Sequence, residues 1–285
     1  MLRSLSSAVS GLQSFQGQMD VIGNNIANVN TTGYKSARTE FSDAFSQTLR
    51  SSAPASANSS GLSTIQIGSG VSTSSIHTLY TQGALSRTGV NTDMAIAGEG
   101  YFLVKDNASG TTYATRDGTF HLDANGFLVT AGGLRVQGTT SSGGVDTYGD
   151  IKIDADGSTD TNGDPLGVQG WTVDDTGVIS VSLSDGQSKI TRGTILLQNY
   201  ANPQALIKEG NNLYTGLTNA NPLTAPGQPG TEGLGKVVSG ALELSNVDLA
   251  KEFSDLIIAQ RSFQATSKMI TTSDEVLQEL VNLKR

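Results

Sequence analysis

Apolar side chains return at alternating intervals of three and four residues through the opening of the chain: Leu5, Ala8, Leu12, Phe15, Met19, Ile22, Ile26 and Val29. Nearly four heptads of that spacing predict an α-helix with one continuous apolar seam, a pattern that no strand presents. At the other end Leu249, Leu256, Phe263, Ile270 and Leu277 recur every seven residues, with Phe253 and Val281 on the adjoining row. Polar Gln260, Ser267 and Asp274 interrupt the companion positions, so the second seam is broken. Both ends of the 285-residue chain are therefore expected to be helical.

The first helix is unusual in composition. Residues 1–30 carry only Arg3 and Asp20 as charged side chains, where a surface helix ordinarily has a charged outer face. Gly11, Gly17 and Gly23 each cost about 1 kcal/mol relative to alanine in a helix interior. Alone, such a segment is mostly unfolded; it needs partners to become a helix. Two amphipathic helices packed on one globular core would supply them, and so would cover from several sides.

Between the helices the chain reads as strands and turns. A Ser/Ala/Asn-rich stretch from Ser51 to Ser63 and a Pro/Gly-rich stretch from Asn219 to Gly235 have linker composition. Strand-like runs lie between them: Met94–Ala97, Tyr101–Lys105, Thr112–Thr115, Phe120–Leu122, Phe127–Thr130, Leu134–Gln137, Gly167–Val173, Val178–Leu183, Lys189–Leu197 and Asn212–Tyr214. Arg116-Asp117-Gly118-Thr119 and Asp123-Ala124-Asn125-Gly126 are expected to close hairpins. The division that follows is a helix over 1–30, an extended hinge over 31–75, a β-rich domain over 76–218, a return segment over 219–246 and a helix over 247–285.

Charge and composition exclude several functions. The formal charge is −8, and the 18 Lys and Arg are scattered singly, so nucleic acid is an unsuitable partner. No run approaches the ~20 apolar residues of a spanning helix, which argues against membrane insertion. Cysteine is absent, removing disulfides, thiolate metal sites and cysteine nucleophiles together. The opening twenty residues lack a continuous apolar run, so any export is expected to proceed without a cleaved signal peptide. His77 and His121 form no metal-binding pattern, and no GxSxG elbow occurs. The Gly230 to Gly235-Lys236 stretch resembles a phosphate loop, but Val237 stands where Ser or Thr must ligate Mg²⁺. Asp154, Asp156, Asp160 and Asp164 could wrap Ca²⁺, although the EF-hand spacing fails and a solvated turn has the same composition. No cofactor and no enzymatic activity are expected. A carbohydrate-binding β module would need aromatic platforms, and the chain has a single Trp171 and 6% aromatics.

The most distinctive local segment is Gly23 to Lys35, with Asn24, Asn25, Asn28 and Asn30 inside it. Asparagines are poor helix formers that bond backbone groups well. They read either as a helix stop or as an uncharged hydrogen-bonding hinge reused at a subunit contact.

Here a resemblance emerges. DVIGNNIANVNTTGYK (20–35) resembles the N-terminal signature of the bacterial flagellar axial proteins of rod and hook, and SGALELSNVDLAKEF onward (239–285) is similar to their C-terminal helix. TQGALSRTGVNTDMAIAGEGYFLV (81–104) and YATRDGTFHLDANGFLVTAGGLRVQG (113–138) resemble their shared β domain. The opening MLRSLSSAVSGLQSFQ and the closing ELVNLKR look most like the compact hook protein, while residues 47–70 resemble an insertion found in the distal rod protein and in some hooks. The resemblance implies an α+β fold in which N- and C-terminal helices pair as a coiled coil around an inserted mainly-β domain. It implies a structural subunit of the flagellar hook, outside the cell body, that self-assembles into a flexible torque-transmitting tube. A distal rod subunit of the basal body is the alternative. Its partners would be its own copies, a hook cap protein, the distal rod protein, a hook–filament junction protein and the type III export apparatus. Subunit contacts would fall on Leu5, Leu12, Phe15, Met19, Ile22 and Ile26, on Asn24, Asn25, Asn28 and Asn30, and on Leu249, Phe253, Leu256, Phe263, Ile270 and Leu277.

Overall fold

The terminal segments form two helices, α1 (Leu2–Ala27) and α2 (Leu249–Leu283), in a computed structural model that describes residues 2–52, 61–142, 145–155, 167–185 and 189–283. Asp248 caps α2, its carboxylate accepting from the backbone N–H of Ala250 at 3.0 Å and of Lys251 at 3.3 Å. Ser and Thr inside α2 turn their hydroxyls back on their own helix: Ser254 donates to Ala250 O at 2.8 Å and Thr266 to Ser262 O at 2.6 Å. A helix rich in such residues thereby satisfies them without outside partners. Neither helix is long and apolar enough to cross a membrane.

Two compact units divide the chain. The first contains residues 1–27, 36–79 and 247–285. In it α1 and α2 lie antiparallel. A Cβ added to Gly11 would meet Thr266 Cγ2 at 3.4 Å, and Asn25 bonds Glu252, so an equal step along each helix separates the two contacts. Strand Ala37–Asp43 pairs antiparallel with Val71–Thr78, with a bulge at Glu40/Phe41, and Ser46–Arg50 pairs with Ile65–Gly68. Thus the span expected to be an extended hinge holds two ribbons. Their Ser, Thr, Gln and His residues are mostly exposed, and apolar alternation is confined to the short Ile65–Gly68, too brief to flag a ribbon. Gly70 closes the longer ribbon at φ +123°, where an added Cβ would overlap Ser10 Oγ on α1.

The second unit contains residues 28–35 and 80–246. Its main sheet runs Val168–Val173, Val178–Leu183, Lys189–Ile195, Arg135–Ser142, Tyr101–Lys105, Thr112–Thr115, Leu213–Thr215, Ile207–Gly210, with each neighbouring pair antiparallel. Period-two burial is plainest in Val178–Leu183, where Ile179, Val181 and Leu183 point inward. Ile179 and Val181 join Phe102, Val104, Val136 and Ile195 in one core. Tyr101, Tyr200 and Tyr214 build a second cluster, with ring centroids 5.6–5.8 Å apart. The Asp123–Gly126 turn closes as expected, Gly126 N donating to Asp123 O at 2.9 Å with φ +82°. Residues 116–119 do not close a hairpin. Thr112–Thr115 pairs with Tyr101–Lys105, Phe120–Leu122 pairs with Leu128–Thr130, and Gly118 O instead accepts from Met94 N at 3.0 Å.

Candidate assembly interface and its hinge

Within the helical unit, the face that α1 turns inward is small and polar. Ala8, Gly11, Ser14, Ile22 and Asn25 are buried, whereas Leu5, Leu12, Phe15, Met19 and Ile26 are only half-buried. Ala8, Phe15 and Ile22 belong to the apolar heptad, but their companions toward the core are Gly11 and Asn25 rather than Leu12 and Ile26. Phe15 packs edge-on against Phe41 at 6.1 Å. On α2, Glu252 and Ala259 are buried and Leu256, Phe263, Thr266, Ile270, Ser273 and Leu277 half-buried, again at alternating steps of four and three. Leu249 and Phe253 are exposed, as are Ile257, Ile258, Met269, Val276, Leu280 and Val281. A helix that shows this much apolar surface has more to bury than its own chain covers.

Asn25 is the pivot of this unit. It is 1% exposed, its amide donating to Ala37 O at 2.8 Å and to Glu252 Oε1 at 3.2 Å, while its oxygen accepts from Ala37 N at 3.0 Å. One side chain thus clasps the main chain of the first strand and ties it to α2. The other hinge asparagines sit differently. Asn24 and Asn30 are exposed, and Asn28 is half-buried, its Oδ1 accepting from Thr31 Oγ1 at 3.1 Å in a local turn.

In the β unit, Asn28–Lys35 is held by a polar clamp. Gly33 has φ +66°, and an added Cβ would stand 2.8 Å from Asp117 N and 2.9 Å from Arg116 C, both backbone atoms. Its N–H donates to Glu243 O at 2.8 Å. Thr32 donates to Asp117 at 2.9 Å, and Asn212 donates to Thr32 O at 2.8 Å. The Lys35 ammonium, 1% exposed, donates to Thr81 O at 2.8 Å and to Glu243 Oε1 at 2.5 Å. Glu243 also accepts from Gly83 N at 2.9 Å and from Arg116 Nη1 at 3.3 Å. Burial holds Lys35 below its ordinary pKa, against the opposing pull of Glu243. Losing one member of such a group leaves an uncompensated charge, which typically costs about 3–5 kcal/mol. Sequence reading missed Lys35, Arg116, Glu243 and Glu252. The available signal was their rarity, since only 15% of the residues are charged.

Of the four calcium candidates, Asp154 alone lies among the described residues. Asp154 is engaged by Arg192 and, at 2.9 Å, by Lys152. Asp156, Asp160 and Asp164 lie outside the described residues. Among the described residues, no group of three or more His, Cys, Asp or Glu could hold a metal.

Comparison with known proteins places this arrangement. The model of the flagella basal body rod protein matches residues 5–35, that of the flagellar hook protein FlgE/F/G D1 domain matches 95–181, and that of the flagellar basal body rod FlgEFG protein C-terminal matches 238–283. The flagellar basal-body rod protein FlgG of Bacillus subtilis is 45% identical over 285 residues, covering 100% of both chains. The chain belongs to the flagellar rod and hook family. It is also 35% identical to FlgG of Borreliella burgdorferi over 288 residues, covering 100% of both. Against the flagellar hook protein FlgE of the same organism, identity falls to 27% over an alignment of 445 residues. This is a family of structural proteins of the flagellar basal body and hook. Its matched N-terminal and C-terminal segments contain the Asn25–Glu252 clasp and the Lys35–Glu243 pair.

Proposed function

We propose that this chain is the distal rod subunit of the flagellar basal body, polymerising with its own copies into a tube in which α1 and α2 pair as a coiled coil. The hook reading of the sequence gives way to its alternative. The observation that carries this is the end-to-end relation to FlgG at 45% identity, with the chains equally covered, against a hook relation that needs 445 aligned positions. The ribbon Ser46–Arg50/Ile65–Gly68 falls in the stretch that resembles an insertion of the distal rod protein and of some hooks, and is compatible with either reading. Constant antiparallel register between the helices, with Ala8, Ile22 and Ala259 inward, is what a coiled coil requires. The half-buried seam of Leu5, Leu12, Met19 and Ile26 and the exposed apolar face of α2 are then the surfaces that neighbouring copies cover. Entry through the type III export apparatus belongs to both readings; contacts with a hook cap and a hook–filament junction protein belong to the hook reading.

Electron microscopy of basal bodies from a strain lacking this gene tests the proposal. Rods that end short of their distal segment are expected, with restoration by the intact gene. Completed rods without hooks would return the hook reading, and intact flagella would overturn both.

A further inference from the structure

Two cations, Lys35 and Arg116, face the single carboxylate of Glu243 in the interior of the β unit. The group therefore holds more positive charge than it balances internally. Arg116 is 5% exposed, and both of its hydrogen bonds leave from one nitrogen, Nη1, to Gly98 O at 3.1 Å and to Glu243 at 3.3 Å. Its Nε is buried with no partner among the described residues. The Nε/Nη2 edge of a guanidinium is the one whose parallel N–H groups match the two oxygens of a carboxylate. Arg116 lines a cleft of about 210 Å³ with Tyr80, Tyr101, Gln82, Asn199 and Glu99. The Tyr101 ring centroid lies 5.0 Å from the guanidinium carbon, within cation–π range. Gln82 is spent on the backbone of Ile96 and Gly98 at 2.8 and 3.0 Å, so it does not compete for the unpartnered Nε.

We infer that this cleft is a carboxylate-binding site, in which Arg116 takes a monoanionic carboxylate on its Nε/Nη2 edge and the Lys35–Glu243–Arg116 set reaches charge balance. Two sources share that chemistry: an Asp or Glu side chain of a second copy, or a free small carboxylate. Glu99, bonded by Asn199 at 3.4 Å, is the one carboxylate lining the cleft, and its charge opposes an incoming anion. It sets the affinity without belonging to the buried group.

The test uses the full ¹⁵N-labelled chain at pH 6 and constant ionic strength, titrated with acetate and, separately, with uncharged acetamide. One arginine Nε–H signal should shift saturably with acetate and stay still with acetamide. Arg116→Lys should delete that signal. Should Arg116→Lys fail to fold, the rim variants decide: Glu99→Gln should lower the half-saturating acetate concentration severalfold, and Asn199→Asp should raise it. No saturable shift, an equal response to acetamide, or indifference to both rim variants overturns the site. The source is read from assembly kinetics in saturating acetate, an arm that rests on the polymer reading above. Slowed assembly assigns the carboxylate to a second copy, and unchanged assembly assigns it to a free molecule. A chain that never assembles refutes the polymer reading while the site still stands or falls on the Nε signal.

Discussion

Replacing Asn25 by Leu separates a helix stop from a clasp. Leu keeps a similar size and is the better helix former, which favours the variant by ~0.5 kcal/mol. Against this, the native amide holds both Ala37 N and Ala37 O, at 3.0 and 2.8 Å, and reaches Glu252 at 3.2 Å, all at a position 1% exposed. Ala37 is itself half-buried, so each of its backbone groups left without a partner costs toward the lower end of roughly 1–3 kcal/mol, and the stranded carboxylate adds to it. The net loss is therefore on the order of 2–5 kcal/mol, confined to the helical unit. Asn28→Leu is the internal control. Asn28 is half-buried and serves a local turn through Thr31, so its loss is expected to cost about 1 kcal/mol or less. Hydrogen exchange of the soluble chain reads both. Amides of α1, of Ala37–Asp43 and of α2 near Glu252 should lose protection strongly in Asn25→Leu and weakly in Asn28→Leu, with the main sheet unchanged. Equal and small losses in the two variants would refute the clasp and leave both residues as an ordinary helix stop.

Gly33→Ala forces a Cβ against the backbone of Arg116 and Asp117 at φ +66°, and should cost roughly 1–3 kcal/mol in the thermal unfolding of the β unit. Gly17 and Gly23 meet no atom of their own chain within 4 Å of an added Cβ. Gly17→Ala and Gly23→Ala should therefore stabilise α1 by up to ~1 kcal/mol each, read as slower proteolysis of the amino terminus; if the polymer covers this face closely, the same variants will assemble poorly. Burial opposes ionisation of Asp150, but bonds from Arg135 and Gln137 outweigh it and hold the carboxyl below its ordinary 3.8. Its contribution is present above that value and is lost as the pH falls through the lower folded value. Asp150→Asn should flatten the thermal midpoint measured between pH 4 and 2, and an unchanged acid slope would refute the assignment.

The β unit was legible where alternation and turn chemistry coincide. Met94–Ala97, Tyr101–Lys105, Thr112–Thr115 and Val178–Leu183 occur at the expected residues because each is apolar, short and bounded by turn formers. Ala37–Asp43, Val71–Thr78 and Ile207–Gly210 were not, because strands without a fully buried residue carry no inward row to betray them. The helix seams were half legible. Spacing gives the helices and their apolar seam, but it does not register the close approach at Gly11, beside which Ala8, Ser14, Ile22 and Asn25 are the buried residues of α1. The Lys35–Glu243 pair spans 208 residues, a separation that periodicity does not register.

The two kinds of contact in this chain divide its labour. Inside the subunit, conformation is set by directional groups: the Asn25 amide on Ala37 and Glu252, and the Lys35–Glu243–Arg116 set around Gly33. Such bonds discriminate sharply between nearly right and right geometry, because a misplaced buried polar group forfeits its partner altogether. Between subunits, in the rod reading, the available surface includes the nearly uncharged face of α1 and the exposed apolar residues of α2, and apolar burial is non-directional and scales with area. It adds strength with every copy but tolerates small displacements. Perturbing a clasp should therefore yield subunits that fail before they polymerise, whatever the seam offers. Perturbing an exposed seam residue such as Ile258 should leave the soluble chain unaltered and weaken only the tube. Ile258→Ser and Asn25→Leu, compared for monomer exchange protection and for basal-body completeness, should exchange phenotypes; a single shared phenotype would mean that folding and assembly are one event and that this division does not exist.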